Sequence, residues 1–196
     1  MCGVDGQANR LRQFASPRRF GERIAGTETT FDLPMSTNTT NSRDMLRHTV
    51  ATLAYRAGKA LRNAPPDFAR FTVAERTRTP GEIVAHMCDL FDWANWLARG
   101  EHRWNNSTPA EWDADVARFF AALRQFDDYL ASDSPLGRSP ELLFQGPVAD
   151  ALTHTGQLTM LRRLAGSPVR GESYLRSDIV VGRVGPEQSA PRVEFD

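Results

Sequence analysis

Cysteine, lysine, net charge and long apolar runs are all scarce in this chain, and each shortage narrows what it can be. Cys2 and Cys88 are the two cysteines in 196 residues. They make neither a disulfide framework nor a metal-binding pair, so a reducing, cytoplasmic setting is expected. Lys59 is the single lysine among 24 basic residues, a skew of composition rather than of function. Those residues are matched by 24 acidic ones, for a net charge of zero. Nothing in that balance favours nucleic acid or an anionic membrane surface as a partner. No apolar run approaches the roughly 18 residues of a membrane span, and the N-terminus lacks the apolar centre of a secretory signal. What is present is ordinary: 40% hydrophobic and 24% charged residues, enough for the core of one soluble domain.

Residues 1–41 are rich in Gly, Arg, Ser, Thr and Asn without sustained periodicity, and a disordered extension is expected there. Met35 is an alternative start. Asp5, Glu22, Glu28 and Asp32 argue against a transit peptide. Residues 42–175 carry the helical patterning and form the expected domain. Residues 176–196 form a tail too apolar for a free end, so it should pack on the domain, with "DIVVGRV" as a short strand.

Four amphipathic helices are predicted. The first runs over 42–63, with Leu46, Val50, Leu53, Ala57 and Leu61 on one stripe and Pro65-Pro66 beyond its end. The second opens at "TPGE", with Thr79 as N-cap, Pro80 at the first helical position and Glu82 closing a capping box. Gly100 stops it. The third repeats that signal in "TPAE" (Thr108 to Glu111) and turns Trp112, Val116, Phe119, Leu123, Phe126 and Leu130 inward. After a short turn at "SPELLF", the fourth starts at Gly146-Pro147 and ends at Gly166. Arg162 and Arg163 complement its C-terminal dipole. An all-α fold, a four-helix bundle, follows.

Two of the stripes contain residues that do not belong in a core. His86 lies on the apolar face of the second helix, between Ile83 and Leu90. The fourth helix presents Asp150, His154 and Gln157 in line with Leu161 and Leu164. A lone histidine on such a face is usually a hydrogen-bonded core residue, and an Asp/His pair one turn apart is usually solvated. Together they point elsewhere, because a buried carboxylate needs a compensating partner. Counted from the expected helix starts, His86 lies about 9 Å along its helix, and Asp150 and His154 about 4.5 and 10.5 Å along theirs. Parallel helices would bring the three level; antiparallel ones would need a compensating stagger. The helix N-termini would favour carboxylate and neutral imidazole there. Two imidazoles and a carboxylate make an open, catalytic type of metal site. Gln157 would hydrogen-bond a ligand or its bound water, or serve as a plain contact between helices. Cys88 falls on the opposite side of its helix from His86. His48 and His102 are expected to be exposed, and Trp93, Trp96, Trp104 and Trp112 to anchor core and loops, with one of the four, not singled out by the sequence, walling a pocket above the metal.

Residues 79–100, "TPGEIVAHMCDLFDWANWLARG", and 146–166, "GPVADALTHTGQLTMLRRLAG", resemble the DinB/YfiT-like helical metalloenzymes. That pattern has a histidine in the second helix and a His-x-x-x-His pair in the fourth, often followed by Gln. His86, His154 and Gln157 match it, while Asp150 stands where the pair's first histidine usually falls. The resemblance implies a four-helix bundle, a divalent metal (zinc, nickel, manganese or iron), frequent homodimers, and transferase or isomerase chemistry with a low-molecular-weight thiol on a small-molecule substrate. Asp in place of His shifts preference toward harder ions such as Mn²⁺ or Fe²⁺. Metal-dependent hydrolysis at the same site, and a non-catalytic stress-associated binding protein with a degenerate site, are the alternatives.

Overall fold

The computed structural model describes residues 38–195, with side chains from Ser42 onward. The expectations for the N-terminal extension and for Met35 lie outside the described residues, apart from the first turn of α1. That helix spans Asn38–Leu61, starting ahead of the predicted Ser42. Its predicted stripe is buried throughout, Leu46, Val50, Leu53, Ala57 and Leu61 all lying in the core.

α2 spans Pro80–Ala98 and begins as its sequence predicts. The Thr79 hydroxyl accepts from the Glu82 amide at 3.3 Å, and the Thr79 amide donates to the Glu82 carboxylate at 2.7 Å. It also ends as predicted. Gly100 takes φ +90°, and the amides of Gly100 and Glu101 donate to the carbonyls of Leu97 and Trp96, a Schellman ending that a left-handed glycine permits. α3 spans Trp112–Ala131, so Glu111 rather than Thr108 is its N-cap. The second "TP-E" motif does not form a capping box because its neighbourhood is engaged elsewhere. Ser107 gives its amide and hydroxyl to Asp89, both at 2.7 Å, and the Ala110 amide donates to Asp115 at 2.8 Å.

The fourth helix starts earlier than predicted. α4 (Pro140–Leu143) is capped by Ser139, whose hydroxyl accepts from the Leu142 amide. A π-helical turn (Phe144–Val148) follows, then α5 (Ala149–Leu164). The residues at both junctions, Phe144 and Val148, keep right-handed helical dihedrals. "SPELLF" is therefore the first turn of one long helical run, and Pro147 sits inside it rather than at its start. The wider π turn accommodates a ring that would otherwise press on the carbonyl one turn back. Leu164, expected in the core, is 57% exposed.

α1 packs against α3 and α5, and α2 packs against the same two helices. Named contacts set the directions. Cys88 donates its thiol to the Asp115 carbonyl and Asn95 its amide to the Ala122 carbonyl, so α2 and α3 advance together. Gly146 lies against Trp93, Asp150 against His86, and Leu161 shares a cleft with Ile83, so α2 and α5 run antiparallel. Because α2 and α3 are parallel, residues 99–111 must travel back along α2. On the way Arg103 stacks over Trp96 at 4.0 Å, Trp104 meets Trp93 and His86, and Ser107 is held by Asp89. Arg118, bound to both Asp89 and Asp92, completes that anchorage.

The C-terminal region is irregular. Its strands, β1 (Gly171–Glu172) and β2 (Glu194–Phe195), pair antiparallel. The predicted strand in "DIVVGRV" does not form: Gly182 takes φ +89° inside a turn, and Val184 is inserted into the core instead. Glu172 is buried and accepts from the Tyr55 hydroxyl (2.5 Å), the Ser177 hydroxyl (2.6 Å) and the Lys59 ammonium (2.7 Å). Lys59, the single lysine, also reaches Glu194. Arg162 does not act as a surface complement to its own helix dipole. It is buried and donates to the carbonyls of Ala60, Arg62 and Asn63 at the end of α1, and to Ser167.

Candidate metal centre

The antiparallel arrangement of α2 and α5 brings the three predicted residues level because the fourth helical run begins at Pro140. His86 lies about 18 Å before the end of α2, and Asp150 and His154 about 15 and 21 Å beyond Pro140. The parallel alternative, counted from Pro147, used the wrong helix start. It follows that Asp150 sits deep in a continuous helical run, where the N-terminal dipole has faded. The dipole expectation for that residue does not apply.

Asp150 stands between the two imidazoles. Its Oδ2 is 3.4 Å from His86 Nε2 and its Oδ1 is 3.4 Å from His154 Nε2. The rings themselves meet edge to face, with centroids 4.9 Å apart. One donor atom from each residue fits within a group whose members are all within 4.8 Å of one another. At metal–ligand bonds of about 2.1 Å, two ligands of a tetrahedral ion are about 3.4 Å apart. The donor set can therefore hold a metal ion.

Gln157 decides how one ring presents itself. Its Oε1 lies 2.8 Å from His154 Nδ1, so that nitrogen carries the proton and donates. His154 Nε2 is thereby turned toward the Asp150 carboxylate, 3.4 Å away. A ring nitrogen and a carboxylate oxygen so placed can hold a cation between them. His86 is shifted toward its neutral form. Burial foremost, then the positive charge of Arg78 and the nearby His154, lower its pKa, partly opposed by Asp150, so the ring is neutral at neutral pH. Metal ligation requires that form.

Exposure is uneven across the group. The His154 and His86 side chains are 9% and 18% exposed, Asp150 45%. Solvent thus reaches the site past the carboxylate. Trp104, from the crossing segment 99–111, lies 5.7 Å from the His86 ring and covers that flank.

Cys88 faces α3, where burial foremost pushes its thiol up to about 12, so it is inert. His48 and His102 are exposed, as expected, though His102 contacts the edge of Trp93. Sequence reasoning left open which of four tryptophans would wall the site, a place that Trp104 takes, and it missed Arg78. Trp104 reaches His86 only because α2 and α3 are parallel and the chain must cross back. Arg78 carries no motif, and its position one residue before the N-cap Thr79 was the only hint. Comparison with family models, curated proteins and solved structures gives no match.

Proposed function

We propose that His86, Asp150 and His154 bind a divalent metal ion and that the protein is a metal-dependent enzyme acting on a small molecule. The observation that carries this is the convergence of one donor atom each from His86, Asp150 and His154 within 4.8 Å, with Gln157 turning His154 Nε2 toward the carboxylate 3.4 Å away. The resemblance of residues 79–100 and 146–166 to the DinB/YfiT-like metalloenzymes supports the same reading. His86 and His154 stand at that pattern's ligand positions, and Asp150 supplies a harder donor in place of a histidine. A divalent ion there would lower the pKa of a coordinated water or thiol toward neutrality. The chain's own residues hold the donors in place: Gln157 fixes the His154 ring, Trp104 shields His86, and the exposed side of Asp150 leaves a path for small molecules. Thiol-dependent transfer to a small electrophile, with a low-molecular-weight thiol as cosubstrate, is the activity we infer.

Metal analysis of untagged protein tests the site. Wild type should hold about one divalent ion per chain and gain thermal stability from added Mn²⁺, Fe²⁺, Ni²⁺ or Zn²⁺. His86→Ala/His154→Ala should do neither. Equal metal content in the two proteins would sink the proposal. Chromogenic electrophiles offered with and without glutathione-type thiols then separate transfer from hydrolysis.

A further inference from the structure

Beside the metal centre, α5, Ile83 of α2 and the loop before Thr79 line a cleft of about 520 Å³. His154 and Gln157 line it, so the cleft opens directly onto the site. Its volume lies in the range of small-molecule pockets. Ile83 and Leu161 form a buried floor, while Val73, Met160 and Leu164 stand 48%, 54% and 57% exposed on the walls. Scattered exposed apolar side chains need no explanation, but here three of them ring one concavity. Leu164, on a stripe that should enter the core, lines the cleft instead.

One charged group breaks this apolar lining. Arg78 is exposed, lines the cleft, and lies near enough to His86 to act on its charge. Among the described residues no carboxylate pairs with it. Of the acidic residues nearest in sequence, Glu75 makes no ion pair with it, and Glu82 is bound to the amide and hydroxyl of Thr79. An unpaired guanidinium over an apolar trough selects a molecule with an apolar body and a planar anionic end, a carboxylate above all.

We propose that this cleft binds a small amphiphilic carboxylate, its apolar body along Ile83, Met160, Leu161 and Leu164 and its anionic group on Arg78. What reaction the molecule would undergo rests on the metal-centre reading; the binding itself does not. The substrate class is then an organic acid with a hydrophobic body, carried with its far end toward His154.

Calorimetric titration of the full chain with octanoate and with octanol tests this, in EDTA-treated protein so that no metal can hold the carboxylate. Octanoate should bind about tenfold more tightly than octanol, a factor that one charge-assisted contact supplies. Arg78→Gln should remove that advantage and leave octanol unchanged, while Arg78→Lys should restore part of it. Leu164→Asp should weaken both ligands. Arg78 and Leu164 are exposed, so these variants keep the fold, which circular dichroism checks. Equal affinity for octanoate and octanol, or an advantage that survives Arg78→Gln, would overturn the proposal. So would sedimentation showing a dimer that Leu164→Asp splits, because a second copy would then occupy the cleft. Metal content measured on untreated samples keeps the two proposals apart: octanoate binding without stoichiometric metal supports the cleft and sinks the metal centre, and the reverse pattern does the opposite.

Discussion

Gln157 Oε1 accepts a hydrogen bond from His154 Nδ1 at 2.8 Å, and one turn earlier Asp150 waits on the other nitrogen of the same ring. The imidazole is thereby fixed in tautomer and in direction. Replacing Gln157 with Leu should lower metal affinity about 10- to 100-fold, the usual effect of removing such a support. Because Gln157 is exposed, stability should hold. Titration against a competing chelator measures the loss, and an unchanged affinity would show that the ring needs no amide to hold it.

Asp150 should set which ion is preferred. Asp150→His supplies a third imidazole and should raise the ratio of Zn²⁺ to Mn²⁺ affinity by about tenfold or more. Asp150→Asn removes the charge and should weaken both ions. Direct competition between the two metals reads the ratio.

Trp104 should report occupancy. Its ring lies 5.7 Å from His86, so Ni²⁺ or Co²⁺ at the site should quench tryptophan emission. Trp104→Phe should remove most of that quenching without altering metal content. Quenching that persists at full strength would place the responding tryptophan elsewhere, with Trp93 the next to test.

Arg162 closes the end of α1 from α5. Its buried guanidinium donates to the carbonyls of Ala60, Arg62 and Asn63, which the helix itself leaves unpaired. Arg162→Met should cost about 3 kcal/mol, the range for losing hydrogen bonds to a charged group and stranding their acceptors. Urea unfolding measures it; a loss under about 0.5 kcal/mol would mean that water replaces the arginine freely.

The attachment of the C-terminal region should depend on pH at both ends. For Glu172, burial alone would raise the pKa, but the bonds from Lys59, Ser177 and Tyr55 outweigh it and hold the carboxyl below its ordinary 4.5. That contribution is present above 4.5 and is lost as pH falls through the depressed value. For Lys59, burial pulls the pKa down, yet Glu172 and Glu194 hold it above its ordinary 10.5. Its contribution is complete below 10.5 and is lost as pH rises through the raised value. Stability should therefore be flat through neutrality and fall at both extremes. Glu172→Gln should flatten the acid limb specifically, as followed by urea unfolding across pH.

Much of the bundle was legible before any fold was known. The α1 stripe, the Thr79 capping box and the Gly100 ending all depend on residues within a turn or two of one another, where spacing alone fixes geometry. The start of the fourth helix was misplaced because Gly146-Pro147 imitates a beginning. Ser139-Pro140, with Glu141 in the first turn, was the real one, and the intervening π turn leaves no mark in the pattern. The "TPAE" start failed for a non-local reason, since Asp89 on α2 claims Ser107 and draws the segment into the crossing. Residues 178–184 have strand composition but no partner strand, so a turn and one buried valine took its place.

By itself the sequence determined that helices form, where most of them end, and that His86, Asp150, His154 and Gln157 occupy faces where polar groups need a reason. Periodicity and capping are local, and local physics is written in the order of residues. Only the tertiary structure decided that α2 and α5 run antiparallel, that a helix begun at Pro140 supplies the stagger aligning Asp150 with His86, and that Trp104 and Arg78 arrive beside them. Those outcomes depend on how four helices divide one core and how their connections must then run, a balance of packing over the whole chain that no short stretch contains.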